Sequence, residues 1–156
     1  MRIGQGIDIH RFSDDPHRPL VLGGVVIEGG RGLGGHSDAD AVCHALADAV
    51  LGAVGLGDLG RHFPDSDPVW EGANSVDLLR EVIRMAAAEG FVGVNGDCTV
   101  VADAPRLAPH TDAMGKRLSA VFGGPVSVKA TRAEGLGALG RAEGIACLAV
   151  VLLEQV

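Results

Sequence analysis

Three residues in the first third of the chain have the types and spacing of an open divalent-metal site: Asp8 and His10, one residue apart, and His44. Residues two apart on an extended strand face the same way, so Asp8 and His10 would project side by side from one sheet face. Two imidazoles and a carboxylate are the ligand set of a zinc site that keeps its fourth position for water or substrate. Asp40, His44 and Asp48 recur every four residues and draw one polar stripe along an otherwise apolar helical segment. Packing that segment against the first strand brings His44 to Asp8 and His10. A histidine taken alone is more often a surface or capping residue, and spacing by itself leaves both readings open.

Three further stretches have chemical content. His36-Ser37-Asp38-Ala39-Asp40 lies where the chain enters the helix, and a helix N-terminus attracts phosphate because its amides are unpaired and its dipole is positive there. A plain N-cap is the other reading of the same run. Gly57-Asp58-Leu59-Gly60, followed by Phe63-Pro64-Asp65-Ser66-Asp67-Pro68, makes a polar loop with two prolines bracketing two aspartates, which reads equally as turn chemistry. Lys129-Ala130-Thr131-Arg132-Ala133-Glu134-Gly135-Leu136-Gly137 leaves a strand with hydroxyl, cation and carboxylate close together, a combination suited to phosphate and magnesium.

The elements that must hold these residues follow from periodicity. The first ten residues alternate, with Ile3, Ile7 and Ile9 on the face opposite Asp8 and His10. Pro19 to Ile27 is extended and broken at Gly23-Gly24. The helix is expected from Ser37 as its cap, through Val42, Leu46, Ala49, Val50 and Ala53, to Gly55 and Gly57. A second helix is expected over Ser75–Glu89 and a third over Pro109–Phe122, with strands at Asp97–Ala102, Val126–Ala130 and Ile145–Leu153. The last strand is apolar enough to be covered on both faces. The order predicts one domain over residues 1–156, an α/β chain of the α+β type, with a mixed sheet and helices on one face.

Composition excludes several classes. A formal charge of −7, with four Phe and one Trp as the only aromatics, provides neither the basic face nor the stacking platforms of a nucleic-acid binder. An acidic protein that handles polyphosphate must bring in positive charge through metals. The longest apolar run, Ile145–Leu153, is about nine residues, against the roughly 20 a membrane-spanning helix needs. The N-terminus shows no signal-peptide stretch, and Cys43, Cys98 and Cys147 are odd in number and widely spaced. Reduced thiols in a cytoplasmic protein are the expectation.

Taken together, these stretches resemble the 2-C-methyl-D-erythritol 2,4-cyclodiphosphate synthase family over nearly the whole chain. The matching residues are Met1-Arg2-Ile3-Gly4 with Gly6 and Asp8-Ile9-His10, then His36-Ser37-Asp38, Asp40, His44-Ala45-Leu46 and Asp48-Ala49. They continue through Leu56–Gly60, Phe63-Pro64-Asp65, Asp67-Pro68, Ala104-Pro105, Pro109-His110, Lys129-Ala130-Thr131, Glu134, Gly140-Arg141 and Glu143–Ala146. The resemblance implies a homotrimer with active sites between subunits. Its substrate would be 4-diphosphocytidyl-2-C-methyl-D-erythritol 2-phosphate, cyclised with release of CMP by a phosphorus–oxygen lyase of the non-mevalonate isoprenoid pathway. Asp8, His10 and His44 look like ligands of zinc, with manganese as an alternative, and Glu134 looks like the ligand of a magnesium ion on the diphosphate. His36, Arg132 and Glu134 are then the candidate catalytic residues. Ser37, Asp58, Gly60, Phe63, Asp65 and Asp67 would form the erythritol-phosphate pocket beside Asp8, His10 and His36. Ala102, Ala104, Pro105, Arg106, Thr131 and Arg132 would form the cytidine and diphosphate pocket, with Arg141 added to the substrate-binding set.

The chain departs from the family at Arg132 and Ala133, where threonines are usual, at Ala138, where an aromatic is common, at Gln5 for His and at Ala142 for Gly. These concern the nucleotide side and leave the metal triad intact. Two other functions fit the same residues. One is a metal-dependent phosphoesterase that activates water; the other is a non-catalytic trimer that binds an isoprenoid diphosphate in a central cavity near Arg141 and Glu143.

Overall fold

The alternation at the start of the chain folds as strand β1 (Arg2–Arg11), in a computed structural model that describes residues 1–156. A short hairpin follows, β2 (Val21–Leu22) and β3 (Val25–Val26), turned by Gly23 and Gly24 at φ 56° and 71°. Two successive left-handed residues are what a tight hairpin turn requires, and glycine takes them without a Cβ clash. The chain continues through α1 (Ala41–Val54), α2 (Leu59–His62), α3 (Ser75–Ala88), β4 (Phe91–Val101), α4 (Thr111–Phe122), β5 (Val126–Thr131), α5 (Gly137–Gly140) and β6 (Gly144–Gln155). Strand order is β1-β6-β4-β5, with β4 and β5 parallel and the other pairs antiparallel. The sheet is therefore mixed, and α1 lies along β1 and β6 while α4 lies along β5. No helix is long and apolar enough to cross a membrane.

Helix α1 starts later than Ser37. Its N-cap is Asp40, whose carboxylate accepts from Val42 N at 3.1 Å and Cys43 N at 3.0 Å. The same carboxylate accepts from Gly23 N at 2.8 Å and Gly24 N at 2.6 Å, tying the hairpin to the start of the helix. Asp40 is fully buried in this role and so is not part of a polar stripe with His44 and Asp48. Burial pushes its carboxyl above the ordinary value against the pull of the N–H groups of Cys43, Gly24 and Gly23. Ala39, at φ 56°, makes the corner that separates Ser37 from the helix. At its other end α1 stops as expected, at Gly55 with φ 77°.

Two other expectations needed adjustment. Strand β4 begins at Phe91, not Asp97, because a register shift between Gly93 and Asn95 interrupts its alternation. Within one chain, strand β6 is covered along one face, where Ile145, Cys147, Ala149, Val151 and Leu153 are buried; on the other, Ala146 is buried but Leu148 and Val150 are 40% and 47% exposed. Ile3, Ile7 and Ile9 of β1 lie on that same uncovered face, Ile7 directly opposite Leu148.

The face of β1 that meets α1 carries Gly4, Gly6, Asp8 and His10, so its inner surface is made of backbone at one end and ligands at the other. A Cβ at Gly4 would come within 1.8 Å of Ala49 O, and one at Gly6 within 2.1 Å of Ala45 O. Only glycine allows the helix backbone to approach so closely. We expect Gly6→Ala to push α1 off the strand, costing about 3 kcal/mol or more, the upper end of overpacking effects. Because Ala45 adjoins His44, any affinity of the Asp8, His10 and His44 cluster for a divalent metal should fall with stability. Urea unfolding and chelator competition check both, and a variant with unchanged metal affinity would show that the close approach does not set the site.

Candidate metal centre and flanking cavities

Strand β1 and helix α1 bring three ligand atoms together. Asp8 Oδ2 is 2.8 Å from His10 Nε2 and 3.2 Å from His44 Nδ1, and the two ring nitrogens are 3.3 Å apart. Each ring is held from behind. His10 Nδ1 lies 2.8 Å from Gly34 O, and His44 Nε2 lies 2.8 Å from Ser75 Oγ and 3.2 Å from Ser37 Oγ. With Nδ1 of His10 donating to a carbonyl, its Nε2 lone pair is left for the centre; with Nε2 of His44 engaged by hydroxyls, its Nδ1 is left likewise. Two nitrogens and one carboxylate oxygen aimed at one point are a donor set that fits zinc or manganese and leaves room for a further ligand.

These residues open into a cavity of about 370 Å³. His36, Ser37, Asp58, Gly60, Phe63 and Asp65, all expected at the site, line it, together with Asp48 and Trp70. Phe63 is buried edge-on to Trp70, ring centroids 4.9 Å apart, which fixes the floor of the proline-bracketed loop. Asp67 does not reach the cavity; its carboxylate caps the short turn Pro68–Trp70 by accepting from Val69 N at 3.0 Å. Asp58 does both, lining the cavity and capping α2 through Arg61 N.

A second cavity, about 340 Å³, lies where β4 and β5 end. Ala102, Pro105, Arg106, Thr131 and Arg132 line it, as expected, while Ala104 faces a neighbouring hollow and Glu134 and Arg141 lie outside both cavities. Arg132 is directed to Asp103 at 3.4 Å and not to Glu134. Glu134 is exposed, in a left-handed turn at φ 53°, and Arg141 pairs with Glu143 at 2.6 Å.

Sequence reasoning missed several supports of the site. Arg18 donates from Nη2 to the carbonyls of Gly35 and Ser37 and so clamps the segment that carries His36. Ser75 and Gly34 act across 31 and 24 residues of sequence, distances that no local pattern reveals. Asp48 did carry a signal, one helical turn beyond His44. It accepts from Leu59 N at 2.7 Å and holds the following loop against the cavity, and burial raises its pKa.

The family described as the YgbB family matches residues 1–154. The chain is 56% identical over 156 residues to a 2-C-methyl-D-erythritol 2,4-cyclodiphosphate synthase of Symbiobacterium thermophilum, covering 98% of each chain. It is 56% identical over 158 residues to the synthase of the same name from Laribacter hongkongensis, covering 99% of this chain and 96% of that one. Among solved structures, a synthase of that name in a CDP-bound form superposes with TM-score 0.88 at 40% identity, over 98% of this chain and 100% of the other. The bifunctional IspDF of Campylobacter jejuni superposes with TM-score 0.94 at 40% identity, over 99% of this chain and 42% of that one.

The triad has a defined pH behaviour in the metal-stripped protein. Burial pushes the Asp8 carboxyl up, but hydrogen bonds and charge from His10 and His44 outweigh it and hold Asp8 well below the ordinary carboxylate range. Burial pushes His10 down, and Asp8 outweighs that, raising it above 6.5. A raised imidazole stabilises the fold fully below its unfolded value and loses that contribution as pH rises through the folded value. A depressed carboxyl stabilises above its unfolded value of 3.8 and loses that as pH falls through the folded one. The pair therefore contributes most between about pH 4 and 6.5. Melting of the stripped protein should fall from pH 6 to 8 more steeply than melting of Asp8→Asn. Parallel curves would mean that the pair does not couple to folding.

Proposed function

We propose a function on one premise: the chain belongs to the YgbB family. It acts as a 2-C-methyl-D-erythritol 2,4-cyclodiphosphate synthase of the non-mevalonate isoprenoid pathway, the activity named in its relatives. The observation that carries the reading to the level of residues is the convergence of Asp8, His10 and His44 in a cavity walled by His36, Ser37 and the Asp58–Asp65 segment.

In this reading an oxygen of the substrate's 2-phosphate bonds to the β-phosphorus, the bond from that phosphorus to the bridging oxygen of the cytidylate breaks, and CMP leaves. The nucleophile belongs to the substrate, so the protein supplies alignment and charge compensation. Asp8, His10 and His44 would hold a zinc or manganese ion, whose chemistry is Lewis-acid polarisation of a phosphoryl oxygen. His36, on the clamped segment beside the triad, donates to the developing charge. Ser37, Asp58, Gly60, Phe63 and Asp65 receive the erythritol phosphate. Ala102, Pro105, Arg106, Thr131 and Arg132 receive the nucleotide, consistent with the CDP-bound form of the solved relative. Glu134 would hold a magnesium ion, whose chemistry is neutralisation of diphosphate charge. Arg141 and Glu143, paired with each other in the single chain, would line the interior of a homotrimer, where an isoprenoid diphosphate would bind. Three buried free thiols suit a cytoplasmic setting.

A homotrimer, which the family resemblance implies, is supported by two features of the single chain. The phosphate cavity opens beside β1 at one edge of the sheet and the nucleotide cavity beside β5 at the other. The outer sheet face, with Ile3, Ile7, Ile9, Leu148 and Val150 exposed, needs a cover. Sedimentation equilibrium should return about three times the 15.9 kDa chain mass; a monomer at micromolar concentration would overturn the shared site.

Incubation with the cytidyl substrate, zinc or manganese, and magnesium should release CMP and give a cyclic diphosphate by phosphorus-31 NMR. A linear product would indicate a phosphoesterase, and retained metal without CMP a binding module. Because Arg132 pairs with Asp103 and leaves Glu134 free, Arg132→Thr should stay within about tenfold of the parent, about 1.4 kcal/mol in barrier, while Glu134→Gln falls much further. Equal losses in the two variants would contradict the magnesium assignment.

A further inference from the structure

We infer that Ser75 and Asp38 form a hydrogen-bonded relay behind His44 that fixes which of its ring nitrogens faces the metal, making both residues positioning residues of the centre. The inference rests on the metal reading of the triad given above and goes beyond it to residues outside the ligand set.

The hydrogen bonds have only one consistent direction. Ser75 Oγ is 2.8 Å from His44 Nε2 and also bonds Asp38 Oδ1. A carboxylate only accepts, so the Ser75 proton goes to Asp38, and Ser75 Oγ is left to accept from His44 Nε2–H. In the neutral imidazole, the form that can ligate a metal, His44 Nδ1 then carries its lone pair toward Asp8 and His10. Asp38 is itself held, Oδ2 accepting from Ser75 N at 3.1 Å and Oδ1 from Asp40 N at 3.2 Å, while its own N–H donates to Ala73 O. Ser37 Oγ is a second, longer contact of Nε2 at 3.2 Å and accepts from Ala39 N. Ser37 Oγ also lies 3.4 Å from Ser75 Oγ, and with the Ser75 proton on Asp38 the Ser37 hydroxyl either donates there or turns into the cavity that Ser37 lines.

Ser75 is not needed as a helix cap, whereas Asp38 also takes the first amide of α3, from Ser75 N. The cap of α3 is Asn74, which accepts from Val76 N at 2.9 Å, and the cap of α1 is Asp40. Ser75 is 1% exposed and His44 9%, so this hydroxyl has no solvent role either. What remains for it is the imidazole. The relay joins the first turn of α3, the segment before α1 and the ligand on α1, so the packing of α3 is transmitted to the metal centre through one side chain.

The test measures metal affinity, independently of turnover. Zinc dissociation constants by chelator competition, the visible spectrum of the cobalt-loaded protein and melting of the metal-stripped protein are compared for the parent, Ser75→Ala, Ser75→Thr and Asp38→Asn. Ser75→Ala should weaken zinc about 10–100-fold, the usual effect of removing a partner behind a ligand, and alter the cobalt bands. Asp38→Asn, which keeps an acceptor oxygen, should fall at the lower end of that range. Ser75→Thr should restore affinity to within about threefold of the parent, following the conserved hydroxyl. A purely structural role would lower the melting point and leave the affinity of the folded protein unchanged, which would overturn the inference. Should Ser75→Ala fail to fold, Asp38→Asn with parental affinity and spectrum overturns it equally. A parent that binds neither zinc nor cobalt would overturn the metal reading itself, a result distinct from a metal-binding parent with indifferent variants.

Discussion

The arrangement of this protein depends on how closely helix α1 lies on strand β1. Gly4 and Gly6 leave no side chains between them, so the carbonyls of Ala49 and Ala45 come almost onto the strand. Two residues further along, the inner face of the strand changes from glycine to Asp8 and then His10. The separation set by the glycines is therefore the separation at which His44 meets its partners. A larger residue at either glycine would set helix and strand apart, and ligand atoms 2.8–3.3 Å apart could not remain so. Strand and helix contribute different periods, two and 3.6, and the site forms where those periods bring one face of each together.

Electrostatics explains why this cluster is held by so many outer bonds. A chain with formal charge −7 that handles a substrate rich in phosphate has little positive charge of its own at the triad. Because His10 gives Nδ1–H to Gly34 O, its 2.8 Å bond to Asp8 through Nε2 calls for a second ring proton, and Asp8 raises the imidazole accordingly. A divalent ion held by Asp8, His10 and His44 would take the place of that proton. The same fixed nitrogens and carboxylate thus serve a proton or a metal, and the carbonyl and hydroxyl behind them decide which lone pairs are offered. Burial alone would have opposed the charged forms; the pairing of opposite charges outweighs it.

Much of this was legible in the sequence because it is periodic. The alternation through Asp8 and His10, the apolar repeat through Leu46 and Val50, and the glycine stops specify elements that the structure reproduces. The helix start was misread because Ser37 and Asp40 are both good caps, and sequence does not reveal that Gly23 and Gly24 donate to Asp40 from 16–17 residues away. The early part of β4 was missed because its register shift hides the alternation. At the site, the three ligand residues were visible by type and spacing and most of the cavity lining through the family resemblance, while Asp67 lies outside the cavity, where its carboxylate caps a local turn. Ser75, Gly34 and Arg18 were not visible, because each acts through a tertiary contact and none belongs to a local repeat.

The uncovered side of the sheet is the same constraint seen from outside. In an ordinary two-layer fold, the apolar residues of an alternating edge strand face the helices. Here the helix side of β1 is given over to glycine and ligands, so Ile3, Ile7 and Ile9 are turned outward by the period-two rule. Shifting the strand by one residue would bury the isoleucines but would also turn Asp8 and His10 away from His44. The chain cannot satisfy its metal centre and its hydrophobic alternation within one copy. An exposed apolar face beside Leu148 and Val150 is thus the direct consequence of building the centre on this strand, and the association of copies proposed above would resolve the conflict without moving a ligand.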